Sequence, residues 1–166
     1  MPVARGKKHI YVGMDLDYST PGEMIVSMDS YITKAIDEFP EEIMKSIKTT
    51  AGNHIFKVDD ACKKLCERDK IIFHRLVAKL VFLRKRAQPY IKPTISLLTK
   101  RVRNAEEDYW KNIQRVIRYL DAIINAVTFH INANDLNIFH CWVEASYGPH
   151  PDRKGQIGAT ISIRKG

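Results

Sequence analysis

One carboxylate in this sequence has a position suited to chemistry. Glu144 directly follows a run of apolar residues and is succeeded by the small residues Ala145 and Ser146. A carboxylate at the end of a strand is well placed to hold a divalent metal for phosphodiester chemistry. Such a site needs several converging carboxylates, and the only later acid is Asp152. From these residues alone, a solvent-facing glutamate at a strand terminus is therefore the favoured interpretation.

Other kinds of site are weakly indicated. The three cysteines are an odd number without the spacing of a disulfide framework, which fits a reducing compartment. Cys62 and Cys66 are four residues apart, unlike the CxxC pairs of zinc knuckles, so reduced thiols are the better interpretation. The sequence has no phosphate-binding glycine loop, HExxH pair or GxSxG elbow, and no histidine pair that favours a general base.

Positive charge is concentrated in the middle of the chain. The formal net charge is +8 over 166 residues, yet 16 lysines and arginines stand against 5 acids between Lys63 and Arg118. Such a concentration attracts a polyanion, and nucleic acid is the usual one, although a solvated helix face is the alternative. No run of about 18 apolar residues and no secretory leader is present. We expect an intracellular protein, cytoplasmic or nuclear, that is not secreted and has no membrane partner.

Strands and a short helix are predicted before residue 40. His9–Asp17 and Met24–Met28 are predicted as strands that form a hairpin around a Ser-Thr-Pro-Gly turn. Asp29 is predicted to cap a helix over Tyr31–Phe39, which Pro40 ends.

Three amphipathic helices are predicted after a long connecting loop. The helices cover 71–86, capped by Asp69, then 91–102, then a segment capped by Asn104. The predicted buried stripe of the last helix consists of Trp110, Ile113, Val116, Ile117, Leu120 and Ile124. Short links between such helices predict a bundle.

After Asn125 the apolar period returns to two. Strands are predicted over 127–131, 136–143 and 159–163, with little sequence left to cover them. The fold class is therefore predicted to be α+β: an N-terminal hairpin plus helix, a central three-helix bundle, and C-terminal antiparallel strands of an incomplete sheet.

Six segments, in collinear order from about residue 9 to the end, resemble motifs of a copia-type long-terminal-repeat retrotransposon polyprotein. The segments are Tyr11–Leu16, Met28–Phe39, Phe73–Leu83, Arg86–Ile91, Trp110–Leu120 and Trp142–Tyr147 with the following Asp152–Gly155. In that family they belong to the C-terminal part of the reverse transcriptase and the start of the ribonuclease H domain.

The resemblance implies a domain organisation. Residues 1–40 would be the end of the polymerase palm, with the hairpin that grips the primer, and 41–68 a connecting loop. Residues 69–125 would be the thumb, and 126–166 a truncated start of a ribonuclease H-like domain. The implied partners are an RNA:DNA hybrid or duplex, bound without sequence preference, and the remainder of the polyprotein. Candidate phosphate contacts lie at predicted helix ends: Arg84, Lys85, Arg86, Lys100, Arg101 and Arg103.

The sequence also departs from the family pattern. The aspartates that hold the polymerase magnesium ions would lie upstream of Met1, Glu144 replaces the first ribonuclease H aspartate, and Tyr90 replaces another motif aspartate. We therefore expect a fragment that binds nucleic acid, is inactive alone and holds no cofactor, whereas the intact family uses Mg²⁺. The alternatives are part of an active RNA-directed DNA polymerase completed by adjacent sequence, a host-recruited interaction module without catalysis, or no function.

Overall fold

The computed structural model describes residues 5–43, 45, 47–52, 62–132, 137–147 and 155–162. Within these ranges the chain is mixed α+β, which confirms the predicted fold class. The elements, in chain order, are β1 Lys8–Tyr11, β2 Met14–Asp17, β3 Glu23–Ser27, α1 Asp29–Asp37, α2 Glu67–Arg84, α3 Lys92–Arg101, α4 Glu107–Ile123, β4 Phe129–Asn132, β5 His140–Ser146 and β6 Gln156–Ser162. Short 3-10 turns precede α3 at Pro89–Ile91 and follow it at Val102–Asn104. Every described helix is too short or too polar to cross a bilayer.

The first predicted strand is in fact two strands. Tyr11 pairs with Met14 across a two-residue turn, so β1 and β2 form a hairpin of their own before β3. Val12 and Gly13 have φ angles of 50° and 75°, the two positive values of a type I′ turn. A two-residue turn keeps the alternation of the flanking strands, which is why the periodicity predicted one strand through it.

β4 also has a different partner from the one predicted. The sequence predicts it among the C-terminal strands, but it pairs with β3, with Val26 opposite Phe129, and completes an antiparallel sheet of order β1-β2-β3-β4. The turn after α4 directs this pairing. Asn125 has a φ of 63°, a left-handed conformation that ends helices, and α4 packs against α1, which follows β3 directly. The remaining strands, β5 and β6, form a separate two-stranded sheet.

The helices begin at residues other than those predicted. Met28, Cys66 and Glu106 occupy the N-cap positions of α1, α2 and α4, and none makes a side-chain cap hydrogen bond. Asp29 and Asp69, predicted as caps, lie inside the first turn, and Asn104 lies in the preceding 3-10 turn. Acids are favoured throughout the first turn by the helix dipole, so their presence marks a helix start only to within a few residues.

One apolar core joins the N-terminal elements to the later helices. Val26 of β3 and Ile32 of α1 belong to the same buried cluster as the inward faces of α2, α3 and α4. The buried stripe of α4 consists of Tyr109, Ile113, Val116, Ile117 and Leu120. Trp110 and Ile124, predicted in this stripe, are only partly buried.

Trp110 is half-exposed because it holds the connecting segment, the described residues from 41 to 52. The Glu41 carboxylate accepts hydrogen bonds from Trp110 Nε1 at 2.5 Å and from Gln114 Nε2 at 2.7 Å. Further along α4, Arg115 donates to Thr49 Oγ1 and Arg118 to the Lys45 carbonyl. No helix or strand occurs in the described residues of this segment. Residues 44, 46 and 53–61 of the predicted loop 41–68 lie outside the described residues. The prediction was wrong at its end, because residues 67 and 68 belong to α2.

Replacing Val12 should stabilise the β1–β2 turn. A β-branched residue is strained at positive φ, whereas asparagine adopts this conformation readily, and Val12 is half-exposed, so little burial is lost. We expect Val12→Asn to raise the free energy of unfolding by about 1 kcal/mol in urea titrations. Val12→Thr, which keeps the branch, is the control, and a less stable Asn variant would contradict the assignment of the turn.

Removing the Glu41 carboxylate should loosen the connecting segment. Two hydrogen bonds to a charged acceptor are lost, and because Glu41 is exposed we expect Glu41→Ala to cost about 1 kcal/mol of unfolding free energy. The fluorescence of Trp110 should shift, since its indole loses its acceptor. Glu42→Ala is the matched control, because this neighbour is also exposed, and equal effects of the two changes would refute the anchoring role.

Candidate nucleic-acid interface

The six basic residues predicted as phosphate contacts lie at opposite ends of the α2–α3 pair. Arg84, Lys85 and Arg86 stand where α2 ends, whereas Lys100 and Arg101 form the last turn of α3. Val102 lines a groove with residues of the first half of α2, which places the end of α3 beside the start of α2. The ten residues of α3 separate the two groups by roughly 15 Å of helical rise. The structure therefore does not bring the six together.

Arg84 has an internal partner. Its Nη1 donates to Ser96 Oγ at 2.6 Å, and lies 3.5 Å from the Lys92 carbonyl. Partial burial lowers the pKa of Arg84 from its ordinary value, but an arginine of this kind stays charged at neutral pH. Arg84 thus fastens α3 to α2 and is only partly presented to solvent.

Arg86 lies against an aromatic stack. Its guanidinium carbon is 3.6 Å from the centroid of the Phe82 ring, which stacks in turn on Tyr31 at 5.2 Å. Lys85 beside it is exposed, and so is Lys92, whose backbone contacts Arg84. Lys85, Arg86 and Lys92 are called the turn cluster below. Lys92 is not among the predicted contacts, because it stands alone in the sequence and only the packing of α3 on α2 brings it near the cations that end α2.

A second cluster is assembled at the other end of the helix pair. The Leu65 amide donates to the Ala105 carbonyl and the Glu107 amide to the Lys63 carbonyl, both at 3.0 Å. These bonds tie the chain before α2 to the chain before α4. They place four exposed cations in one region, which is called the bridge cluster: Lys63, Lys64, Arg68 and Arg103.

Only Arg103 of the bridge cluster was among the predicted contacts. Its neighbour Arg101 is half-buried, with its guanidinium 5.7 Å from the Tyr109 ring, and Lys100 is exposed. Lys63, Lys64 and Arg68 lie in the cation-rich stretch between residues 63 and 118, but they precede the predicted helix. The true start of α2 at Glu67 would have placed them at a helix terminus.

Most other cations of the basic region are used inside the fold. Lys70 pairs with Glu67 and Lys111 with Asp108, one turn apart on their helices. Arg75 and Lys79 both pair with Glu38, while Arg115 and Arg118 hold the connecting segment. Within the described residues, the cations of the turn and bridge clusters have no ion pair, although Glu106 and Glu107 lie beside Lys64 and Lys63 in the bridge cluster.

Glu38 links α1 to α2. Its carboxylate lies 2.7 Å from Lys79 Nζ and 3.5 Å from Arg75 Nη1. The hydrogen bond from Lys79, more than the charges of Lys79 and Arg75, holds the pKa of Glu38 below its usual value.

Glu144, the predicted catalytic and metal-binding carboxylate, lies exposed on β5 opposite Gly158 of β6. In the part of the chain that the structure describes, no three histidine, cysteine or acidic side chains lie close enough together to hold a metal ion. Asp152 lies outside the described residues. The described donor set is thus a single carboxylate, which does not fit a magnesium site, and no catalytic step is derived from it.

The Glu38 ion pairs should make stability depend on pH. Because the Glu38 carboxyl has a lower pKa in the folded chain than in the unfolded chain, the pairs stabilise the fold above about pH 4.3. That stabilisation disappears as the pH falls through the lowered pKa. We expect Glu38→Gln to reduce the free energy of unfolding at pH 7 and to match the parent more closely near about pH 3. Asp37→Asn, an exposed neighbour, is the control, and a Glu38→Gln deficit that is the same at both pH values would contradict the linkage.

Nearly the whole of this chain is similar in sequence to one curated protein. Across 161 residues, 97% of this chain, it is 23% identical to a Saccharomyces cerevisiae protein named for the Ty5-1 transposon. The chain spans about half of that protein, 51% of its length. No family model matches the chain, and no solved structure gives a significant match. The similarity relates this chain to a transposon protein.

Proposed function

We propose that the chain is part of a copia-type reverse transcriptase and ribonuclease H polyprotein. In this proposal it comprises the end of the palm, the thumb and the first ribonuclease H strands, and it binds a template–primer duplex without catalysis. The collinear motifs and the similarity to the protein named for Ty5-1 support the assignment. The observation that carries the binding function is the pair of mostly exposed cation clusters, without ion pairs among the described residues, at the two ends of the α2–α3 pair.

The surface between the clusters suits the approach of a duplex. A shallow groove of about 430 Å³ lies there, with Ile71 and Ala78 beside His74 and Arg75. Small and apolar side chains allow close contact with sugar edges, while cations at either end reach phosphates. Along α2 the helical rise from Arg68 of the bridge cluster to Lys85 of the turn cluster is roughly 25 Å. A duplex lying along the pair would therefore offer phosphates of both strands. Such contacts recognise shape and charge and carry no sequence preference.

Neutralising either cluster should reduce the salt dependence of binding. In titrations with a labelled RNA:DNA hybrid at several salt concentrations, the logarithm of the affinity falls by about 0.9 per phosphate contact for each tenfold increase in salt. We expect Lys64→Gln, Arg68→Gln and Arg103→Gln together to reduce this slope by up to about 2.7, and Lys85→Gln with Lys92→Gln by up to about 1.8. Lys34→Gln, an exposed lysine on α1, should change neither slope nor affinity by more than a small amount.

The same samples, with Mg²⁺ present, test the absence of catalysis. Salt-sensitive binding without cleavage is the expected result. Cleavage that is lost in Glu144→Gln would overturn the inactive fragment in favour of an active enzyme. If the folded parent fails to bind, the interaction module becomes the better candidate. That second candidate is favoured by the exposed apolar side chains of the C-terminal strands, among them Val143 and Ile161.

A further inference from the structure

We infer that the cleft between α3 and the β5–β6 pair is a binding site for a guanine nucleotide, free or as an unpaired unit of a strand. The choice of a nucleotide as ligand class rests on the proposed nucleic-acid function. The site itself is separate from the groove on α2 and from the bridge cluster, and it uses Glu144 as a hydrogen-bond acceptor in place of a metal ligand.

The cleft has the size and lining of a small-molecule site. Its volume is about 710 Å³, within the range of ligand pockets. Lys92, Pro93 and Ser96 of the first turns of α3 form one wall. The opposite wall is the face of the β5–β6 pair that carries Trp142 and Glu144.

Trp142 provides a platform for stacking. Alternation along β5 puts His140, Trp142 and Glu144 on the same face, and the His140 and Trp142 rings are stacked with centroids 5.7 Å apart. Trp142 nevertheless remains 46% exposed, so a large part of the indole lines the cleft. Bases stack favourably on such rings, and a tryptophan held by a neighbouring ring is partly ordered before the ligand arrives.

The space beside Glu144 is open. Its partner across the ladder is Gly158, and a Cβ added there would meet no atom within 4 Å. An ionised carboxylate only accepts hydrogen bonds. Of the four common RNA bases, guanine alone presents two adjacent donors, N1–H and N2–H₂, on its pairing edge, whereas adenine, cytosine and uracil each present a single donor group there. Glu144 therefore favours guanine over adenine.

The helix wall offers donors for a phosphate. Lys92 contributes an exposed ammonium, and Ser96 Oγ accepts a hydrogen bond from Arg84 at 2.6 Å, which leaves the Ser96 hydroxyl proton to donate elsewhere. Lys92 also belongs to the turn cluster. A nucleotide in the cleft would thus continue directly into a backbone bound at that cluster, as expected for an unpaired nucleotide next to a duplex.

Tryptophan fluorescence tests the inference on the whole chain, which has two tryptophans. Guanosine monophosphate should quench emission and bind at least about fivefold more tightly than adenosine monophosphate. Trp142→Leu should abolish the quench and weaken binding roughly five- to 100-fold in equilibrium dialysis. Glu144→Gln should remove most of the guanine preference, and Lys92→Gln should bring the affinity for the nucleotide close to that for guanosine. Val143→Ala, on the opposite face of β5, is the control and should bind as the parent does.

Several results would overturn the inference. They are a parent that binds neither nucleotide, equal affinity for guanosine and adenosine monophosphates, displacement of the nucleotide by inorganic phosphate alone, or equal losses in Val143→Ala and Trp142→Leu. Circular dichroism and the emission of Trp110 report whether each variant is folded. A parent chain that binds the hybrid but neither nucleotide would refute this site and leave the proposed function standing. A parent chain that binds guanosine monophosphate but not the hybrid would support this site and contradict the proposed function.

Discussion

The fold depends on α4 burying its apolar stripe against three other helices. Ile113, Val116, Ile117 and Leu120 are fully buried, and α4 contacts α1, α2 and α3. Removing this much apolar surface from water is the largest favourable contribution available to a domain of this size. Because α1 joins the same core directly after β3, the packing also sets the position of the N-terminal sheet, and the return from α4 through Asn125 supplies its fourth strand.

The same packing sorts the positive charge. A helix that buries one face must present its cations on the remaining surface, and there they meet whatever the neighbouring elements offer. Glu38 neutralises two of them, and the connecting segment gives its carbonyls to two more on α4. In the part of the chain that the structure describes, the cations of the turn and bridge clusters lie near helix ends, and all but Arg86 are exposed. The cations without an ion pair are thereby gathered in the turn cluster and the bridge cluster. Such local clusters are the feature to which the proposed polyanion would bind.

The C-terminal strands are organised differently. β5 and β6 pair only with each other among the described strands, and Val143, Ile157 and Ile161 are largely exposed. An isolated two-stranded ribbon gains little stability from burial. The ribbon is nevertheless the element that carries Trp142 and Glu144 opposite α3. Because these strands bury so little, their side chains remain accessible to a ligand. The side chains on the core faces of α2 and α4 are buried and are not accessible.

The sequence alone predicts the fold class, the existence of the helices and most of their buried positions, because apolar periodicity is a local property that survives folding. It also determined that the chain is rich in cations between residues 63 and 118. Tertiary structure decided the rest: that the run His9–Asp17 turns back at Val12, that β4 joins β3, and that Arg84 and Arg86 are partly consumed by internal contacts. The packing of the helices also places Lys63, Lys64, Arg68 and Lys92 among the exposed cations of the turn and bridge clusters. Strand partners and the neighbours of a charged side chain are long-range relations, set by how helices pack, and neither period nor composition encodes them.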